Sequence, residues 1–347
     1  MKVALVCPYD LGKPGGVQDQ VIRLAGWLEA RGHPATIIGP GTQGPQGAVL
    51  VGSTSVITAN AAATPIAIDP RVRSRIFSAV EGADVVHIHE PLMPVVSLAA
   101  VRIGGLPTVG TFHADPPRWV RKGYTTLSPF LRRVLRKLDV VTTVSPVANS
   151  AIEPVVAARV IPNGIDVPSY GRADKVAGRV VFLGRDDPRK GLDVLLEAWP
   201  GVREAVGGAS LRVLGARRDR PVEGVDFLGR VSDDDKYAEL AEAEVFVAPN
   251  LRGESFGIVV AEGMASGCAV VASGIPAFIQ VLGDAAEIVA PGDVGALADR
   301  VSALLGDPER LRTLSERARR RVQRFDGALV TDAYIEAYND AIIAHQS

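Results

Sequence analysis

Two carboxylates, Glu254 and Glu262, lie eight residues apart in the segment GESFGIVVAEGMASG. Gly253 opens this segment and an apolar helical pattern follows, so the N–H groups and dipole at the start of that helix favour a phosphate. Each carboxylate can accept hydrogen bonds from a pair of neighbouring hydroxyl groups. Phosphates and vicinal hydroxyls together are typical of a nucleotide sugar. The plainer alternative is a capped amphipathic helix with one surface glutamate.

A second charged turn, GRDDPRKG at residues 184–191, ends one predicted strand and begins a helix. Arg185 and Lys190 would place two cations beside oriented N–H groups. Such an arrangement binds a diphosphate and stabilises its negative charge as it leaves. The acidic residues of the same turn leave open a solvated charged loop.

The first predicted helix is preceded by the turn PGGVQ, in which Gly15 and Gly16 allow close approach of the backbone to a ligand. An ordinary loop is the alternative. No GxGxxG motif follows the first strand and no GxxxxGK[ST] motif occurs, so neither a dinucleotide fingerprint nor a P-loop is indicated.

Chain length and charge bound the class of protein. With 347 residues the chain is long enough for two domains. The net charge of −1 conceals an asymmetry: residues 1–170 carry 16 Lys and Arg against 11 Asp and Glu, and the remainder 22 against 28. The basic half suits an anionic surface or substrate, and no nucleic-acid partner is expected. The two cysteines suggest no disulfide framework, which favours the reducing cytosol.

Strand-like segments, among them VALVC at 3–7 and RVVFLG at 179–184, alternate with helical ones along the whole chain, which predicts an α/β fold with parallel sheets. The segment IPNGID at 161–166 interrupts the alternation, which then restarts. We therefore predict two doubly wound, Rossmann-like domains facing a cleft. The first would cover residues 1–168, with a last helix crossing back to it over 328–347, and the second residues 169–327. Ligands of such sheets bind beyond the carboxyl ends of the strands, where the three turns above would lie.

Some histidines and aspartates have a spacing that could suit metal ligands. His87 and His89 have the alternate spacing of one strand face, but no third ligand is evident, so no metal site is predicted. The run Asp233–Asp235 follows Ser232 and favours the first turn of a helix. His113 ends the strand-like segment TVGTF, where site residues gather, although a lone histidine is more often structural.

Two basic segments also contain apolar residues. Arg71, Arg73 and Arg75 precede an apolar run, and a second basic segment spans 118–137 with aromatic and aliphatic residues interleaved. Such segments could dock on anionic lipid headgroups, with about 1 kcal/mol from each basic residue. A solvated helix face is the alternative.

The motifs occur together in an order that resembles the family-4 retaining glycosyltransferases of GT-B fold, over nearly the whole chain. The segments CPYDLGKPGGVQ, HIHEP and TFHA look like those of phosphatidylinositol mannosyltransferases of mycobacteria and relatives. Asn250 and Arg252 depart from the residues expected before Gly253.

The resemblance implies a role for each matching position. Gly15 and Gly16 would approach the donor diphosphate, and Arg185 and Lys190 would neutralise it. Glu254 would hold the transferred sugar and Glu262 the ribose. The backbone of Phe256, Gly257 and Ile258 would follow the phosphates and nucleoside. His113 would lie beside the reacting centre and the acceptor, with Tyr9 and Gln18 lining the acceptor pocket.

The expected activity is retaining transfer of mannose from GDP-mannose to phosphatidylinositol by a peripheral protein on the inner face of the plasma membrane. No tightly bound cofactor is expected, and Mg²⁺ could accompany the diphosphate. The alternatives are a same-family enzyme with a soluble acceptor or a UDP-sugar donor, and a non-catalytic nucleotide-sugar binding protein.

Overall fold

The chain forms two compact units. The computed structural model describes residues 1–59, 62–67, 71–116, 118–171 and 173–347. Unit 1 comprises Met1–Gly164 and Gly327–Ser347, and unit 2 comprises Ile165–Asp326. The first boundary lies four residues before the predicted one, because Ile165 pairs with Asp326 and donates its N–H to the carbonyl of Phe325. The second lies one residue before the predicted one.

Unit 1 is built on a seven-stranded parallel sheet. The strands of the unit are β1 (Val3–Val6), β2 (Ala35–Gly39), β3 (Val49–Leu50), β4 (Thr54–Ala59), β5 (Ala62–Ala67), β6 (Val85–His89), β7 (Thr108–Phe112), β8 (Val140–Thr143) and β9 (Arg159–Val160). The sheet order is β3-β2-β1-β6-β7-β8-β9, and β4 and β5 form a separate antiparallel pair. The connecting helices are α1 (Gly16–Ala30), α2 (Val72–Ala79), α3 (Val96–Ala100), α4 (Arg118–Thr126), α5 (Ser128–Leu135) and α6 (Pro146–Ile152).

Both faces of this sheet are buried. Successive residues of a strand point to opposite faces, and β1 shows the consequence. Val3 and Leu5 belong to one hydrophobic cluster, whereas Ala4 and Val6 belong to another. An uninterrupted apolar run such as VALV is therefore what a central strand with helices on both sides requires.

Unit 2 repeats this architecture with six parallel strands in the order β12-β11-β10-β13-β14-β15. The strands are β10 (Val176–Leu183), β11 (Ser210–Leu214), β12 (Val225–Gly229), β13 (Ala243–Ala248), β14 (Ala269–Ser273) and β15 (Glu287–Val289). The helices are α7 (Leu192–Ala205), α8 (Asp233–Glu242), α9 (Ile258–Ala265), α10 (Pro276–Leu282), α11 (Val294–Leu305) and α12 (Pro308–Val322). The run Asp233–Asp235 forms the first turn of α8, with Ser232 as its N-cap, as the sequence predicted.

The last helix, α13 (Gly327–His345), returns to unit 1. Tyr334 and Tyr338 are buried with the apolar residues of α1 and β1. Gly327 permits this packing, since a Cβ at that position would lie 2.2 Å from the Trp27 ring. The prediction of a final helix that crosses back is confirmed. None of the helices in the described part of the chain is both long and apolar enough to cross a bilayer.

Candidate active site

Two glycines allow the charged turn of unit 2 to lie close to two neighbouring loops. It runs from the end of β10 to Gly191, the N-cap of α7, whose φ is 72°. A Cβ on Gly191 would lie 1.9 Å from the carbonyl oxygen of Pro249. Gly215 has a φ of 94°, and a Cβ there would lie 2.6 Å from the carbonyl oxygen of Gly184. Only glycine fits such close backbone approaches, so the turn lies beside the loop that follows β11 and the loop that follows β13.

This packing brings together Lys190 and Glu254, two residues nominated from the sequence. The Lys190 ammonium lies 2.5 Å from Oε1 of Glu254, and both side chains are largely buried. Asn250 donates its Nδ2–H group to the same oxygen at 2.9 Å. Asn250 departs from the family pattern, and its contact with Glu254 was not predicted. A lysine, a carboxylate and an amide in mutual contact can rearrange around a diphosphate and the hydroxyls of a sugar.

The other cations of this turn differ in their partners. Arg189 pairs with Asp187 at 2.6 Å, and its hydrogen bonds hold the pKa of that carboxyl near 2. Arg185 is exposed and makes no ion pair within 4.0 Å in the part of the chain that the structure describes. Arg185 therefore presents the most available positive charge of the turn.

The loop that carries Glu254 ends in a constrained helix start. Gly257 is the N-cap of α9 with a φ of 102°, and a Cβ there would lie 2.8 Å from the Phe278 ring. Phe256 is buried against Phe325, with ring centroids 5.3 Å apart. The Phe256 side chain thus anchors the loop. The backbone of this loop, together with that of Ile258 at the first position of α9, provides the N–H groups at the start of the helix.

Glu262 is buried inside α9 and already has two partners. Its Oε1 accepts a hydrogen bond from the Tyr170 hydroxyl at 2.7 Å and lies 3.2 Å from the Lys236 ammonium. Burial acts to lower the pKa of Lys236, but Glu262 and Asp233 outweigh it and raise that pKa. Neither Tyr170 nor Lys236 was nominated from the sequence. Their contacts to Oε1 orient Glu262 so that its second oxygen can meet hydroxyl groups of a ligand.

In unit 1 the two glycines before α1 have different surroundings. Gly15 is the N-cap, and a Cβ there would lie 2.4 Å from Oε1 of Gln18. A Cβ on Gly16, the first residue of α1, would have no described atom within 4 Å. A Cβ at 15 would therefore displace only the end of the Gln18 side chain, whereas the open space at 16 leaves room for a ligand.

Gln18 and Tyr9 lie around the turn that follows β1. The Gln18 amide is buried and donates to the carbonyls of Asp10 and Lys13, both at 3.3 Å, so this side chain orders the turn. Burial, followed by the charge of Glu90, raises the pKa of Tyr9 well above its usual value. Gln18 therefore shapes the predicted acceptor pocket through the backbone, while Tyr9 lies near a buried carboxylate.

His113 follows β7 and is buried in the same unit. Its Nε2 lies 2.8 Å from Nδ1 of His89, and its ring also contacts Asn163. Burial lowers its pKa to about 4, so the ring is neutral at pH 7. Its backbone N–H donates to Oε1 of Glu90 at 2.7 Å. The sequence nominated His113 but gave no role to His89 or Glu90.

The remaining predictions from the sequence concern a metal site and a membrane-binding surface. No group of three or more His, Cys, Asp or Glu side chains in the described residues could hold a metal ion. On α2, the buried face carries Val72 and Ile76, and the exposed face carries Arg73 and Arg75 with Phe77. Arg71 is the exposed N-cap of this helix.

Comparison with known proteins agrees with this architecture. Residues 14–168 match the model of the family described as "Glycosyltransferase Family 4", and residues 177–307 match the model of the family described as "Glycosyl transferases group 1". A solved glycosyltransferase from Rickettsia africae is 18% identical, with a TM-score of 0.74 and coverage of 98% of each chain. The Anabaena protein HepE, solved with UDP and glucose, is 19% identical with a TM-score of 0.75, covering 98% of this chain and 99% of its own.

These two Rossmann-like units have the GT-B fold, and the protein is a glycosyltransferase. The phosphatidyl-myo-inositol mannosyltransferase of Mycobacterium leprae is 35% identical over 97% of this chain and 96% of its own length. The protein of the same name from Propionibacterium freudenreichii is 33% identical over 98% and 95%. The chain therefore belongs to glycosyltransferase family 4, together with these mannosyltransferases.

Proposed function

We propose that the protein transfers mannose from GDP-mannose to phosphatidylinositol, with retention of anomeric configuration, on the inner surface of the plasma membrane. The observation that carries the proposal is the contact of Glu254 with both Lys190 and Asn250 in unit 2. The names of the relatives, which match over nearly their full length, support the choice of sugar and acceptor.

The donor would be held by unit 2. The Lys190 ammonium would leave Glu254 for the diphosphate, where Arg185 adds a second positive charge. Glu254, released from Lys190, would accept hydrogen bonds from hydroxyls of the transferred sugar, and Glu262 from the ribose. Because the diphosphate gains charge as the glycosidic bond breaks, the two cations stabilise the transition state more than the ground state. The acceptor hydroxyl would attack the face from which the diphosphate leaves.

The acceptor would be held by unit 1, around Tyr9, Gln18 and His113, with Gly15 and Gly16 beside the donor diphosphate. A neutral His113 ring carries one donor and one acceptor nitrogen. We propose that the protein holds no cofactor of its own and that a Mg²⁺ ion, where it takes part, arrives on the diphosphate. The charge on Lys190 and Arg185 supports this proposal.

Binding to an anionic membrane would involve two surfaces of unit 1. The first is the α2 surface, formed by Arg71, Arg73, Arg75 and Phe77, in which the Arg73 guanidinium lies 5.4 Å from the centroid of the Phe77 ring. The second is the α4–α5 surface, formed by Trp119, Leu127 and Phe130, which are 61%, 56% and 60% exposed, beside Lys122 and Arg133. Exposed aromatic and aliphatic side chains among cations are typical of helices that lie in a lipid headgroup region.

Transfer of label tests the proposal. Purified protein is mixed with GDP-mannose labelled in the sugar and with phosphatidylcholine vesicles that contain or lack phosphatidylinositol. We expect label in the lipid fraction only when phosphatidylinositol is present. Label in a water-soluble product would instead indicate a soluble acceptor, and binding of the donor without any transfer would indicate a binding protein; either result contradicts the proposal.

A further inference from the structure

His113 is contacted by the last residue of the neighbouring strand β6, His89, and by the residue that follows it, Glu90. Nδ1 of His89 lies 2.8 Å from Nε2 of the His113 ring. Oε1 of Glu90 accepts hydrogen bonds from the backbone N–H groups of His113 and Ala114, both at 2.7 Å. One residue therefore contacts the ring, and the next contacts the main chain on which the ring is carried.

The backbone at Glu90 has the conformation that this double contact requires. Consecutive residues of an extended strand project to opposite faces of the sheet, so residues 89 and 90 would diverge. Glu90 directly follows β6 and has a φ of 49°, in the left-handed region that residues other than glycine rarely adopt. Strained backbone of this kind clusters at functional sites, where the surrounding structure enforces it.

Packing alone does not account for a histidine at position 89. Its Nε2 is buried and has no hydrogen-bond partner among the described residues, so the ring makes a single hydrogen bond, the one to His113. Burying an unpartnered polar nitrogen costs free energy that an apolar side chain of similar size would avoid. The hydrogen bond to His113 is the interaction that a His89 ring makes and an apolar side chain could not make.

His87, two residues earlier on the same strand, shows what a structural histidine looks like here. It is fully buried, and both of its ring nitrogens are bonded, Nδ1 to the Tyr338 hydroxyl at 2.8 Å and Nε2 to Oγ1 of Thr111 at 2.6 Å. It does not bond to His113. The His87 ring lies 4.1 Å from the His89 ring, centroid to centroid, so substitution of His87 is a control that disturbs the cluster while leaving the hydrogen bond between His89 and His113 in place.

We propose that His89 and Glu90 are positioning residues that together fix His113, His89 through the ring and Glu90 through the main chain. The inference rests on the proposed function, in which His113 contacts the reacting centre. His89 selects the ring orientation and tautomer of His113, since the bonded Nε2 can play only one hydrogen-bonding role at a time. Glu90 fixes the main chain of His113 and Ala114 beside the end of β6.

Three variants of the histidines test the role of His89. His89→Leu removes the hydrogen bond, His89→Asn keeps an amide near the place of Nδ1, and His87→Leu perturbs the same strand without touching His113. We expect His89→Leu to lower kcat by about 100-fold with an unchanged KM for GDP-mannose, since small misplacements cost that much. His89→Asn should recover most of the loss, and His87→Leu should keep kcat per folded molecule within about 3-fold, the scale of an indirect effect.

Nuclear magnetic resonance of protein labelled with ¹⁵N in histidine reads the same role without any turnover. The His113 ring signals should change in His89→Leu and change much less in His87→Leu, in which the hydrogen bond to His113 is kept. Because this readout needs neither donor nor acceptor, it still decides the inference if the substrates of the proposed function are wrong. Unchanged His113 signals in His89→Leu, or equal losses of kcat in both leucine variants, would overturn the role of His89.

Two further variants test Glu90 and remain informative if His89→Leu does not fold. Glu90→Gln keeps an oxygen that can accept both N–H groups, whereas Glu90→Ala removes it. We expect the alanine variant to lose about 100-fold in kcat and to shift the amide signals of residues 113 and 114, while the glutamine variant keeps most of both. Equal activity of the glutamine and alanine variants, with the two amide signals unmoved, would overturn the role of Glu90.

Discussion

Lys190 and Glu254 show how a single contact can serve a charged ligand. The pair is largely buried, so each charge is compensated by the other while no ligand is bound. A diphosphate would replace the carboxylate as the partner of Lys190 and free that carboxylate for hydroxyl groups. This exchange explains why a lysine and a glutamate that neutralise each other can both belong to the donor site.

Removing either partner should severely impair transfer. We expect Lys190→Met and Glu254→Ala to lower kcat/KM by about 100- to 1,000-fold, the usual cost of losing one stabilising group in a transition state. Arg189→Met is the matched control, because Arg189 lies in the same turn but pairs with Asp187. Steady-state rates and circular dichroism of the three variants provide the check. Near-normal turnover of both site variants would exclude them from the active site.

Glu90 should make stability depend on pH in an unusual direction. Burial raises its pKa to about 7 from an ordinary value of 4.5. Between those values the folded protein binds more protons at this site than the unfolded chain, so the free energy of unfolding falls as pH rises. The loss is complete above about pH 7 and amounts to at most about 3 kcal/mol.

Glu90→Gln cannot ionise and should escape this loss. Relative to the unsubstituted protein, its stability should therefore increase as the pH rises from 5 to 8. Urea unfolding of both proteins at several pH values measures the difference. A difference that is independent of pH would show that the Glu90 carboxyl does not titrate in this range.

Site residues could be predicted from the sequence where the pattern that marks them lies within a few consecutive residues. Glycines before a helix and cations in one short turn are visible in consecutive residues, so Gly16, Lys190 and Glu254 could be singled out. The contact between Tyr170 and Glu262 joins residues 92 positions apart. Only the folded chain brings such partners together, and neither composition nor spacing indicates them.

At the scale of elements, the alternation of strands and helices could be predicted for the central strands, whereas β3, β9 and β12 were missed. The run VALVC was predicted as a strand, and β1 covers Val3–Val6. Strand β10 begins three residues before the predicted segment, because Val176 pairs with Ala243 across a register irregularity. The antiparallel pair β4 and β5 was not predicted, since it lies outside the repeating strand–helix pattern.

The two proposed membrane surfaces can be separated by mutation. Replacing Arg71, Arg73 and Arg75 by Ser should weaken binding to anionic vesicles, with the largest effect at low salt, because charges near the surface are screened. Replacing Trp119, Leu127 and Phe130 by Ser should weaken binding at all salt concentrations, because burial of apolar area is lost. Vesicle flotation measures both. Unchanged flotation of both variants would exclude these surfaces from membrane binding.

Helix α13 should be indispensable to unit 1. It buries Tyr334, Tyr338 and several smaller residues against α1 and the sheet. Large side chains contribute about 1.5–3 kcal/mol each when buried, and a whole domain is stable by only about 5–15 kcal/mol. We expect a chain ending at Asp326 to lose the protease resistance of residues 1–164 and to keep that of 165–326. Equal resistance of both segments would contradict this dependence.

At the scale of the whole molecule, the candidate donor-binding and acceptor-binding groups belong to two units with separate cores. Unit 2 contains the cations, carboxylates and helix start that suit a nucleotide sugar, and it carries the more acidic part of the chain. Unit 1 contains a buried histidine cluster and the exposed basic and apolar surfaces. This division is what a transferase with a charged soluble donor and a lipid acceptor requires.

The central claim is that Lys190 and Arg185 hold the diphosphate of GDP-mannose while Glu254 contacts its sugar. Isothermal titration calorimetry of the unsubstituted protein and Lys190→Met with GDP-mannose, GDP and UDP-glucose, in EDTA and in Mg²⁺, measures this most directly. We expect the unsubstituted protein to bind GDP and GDP-mannose and to bind UDP-glucose more weakly. We expect Lys190→Met to bind none of the three. The central claim would be contradicted if the unsubstituted protein bound none of the three ligands in either buffer.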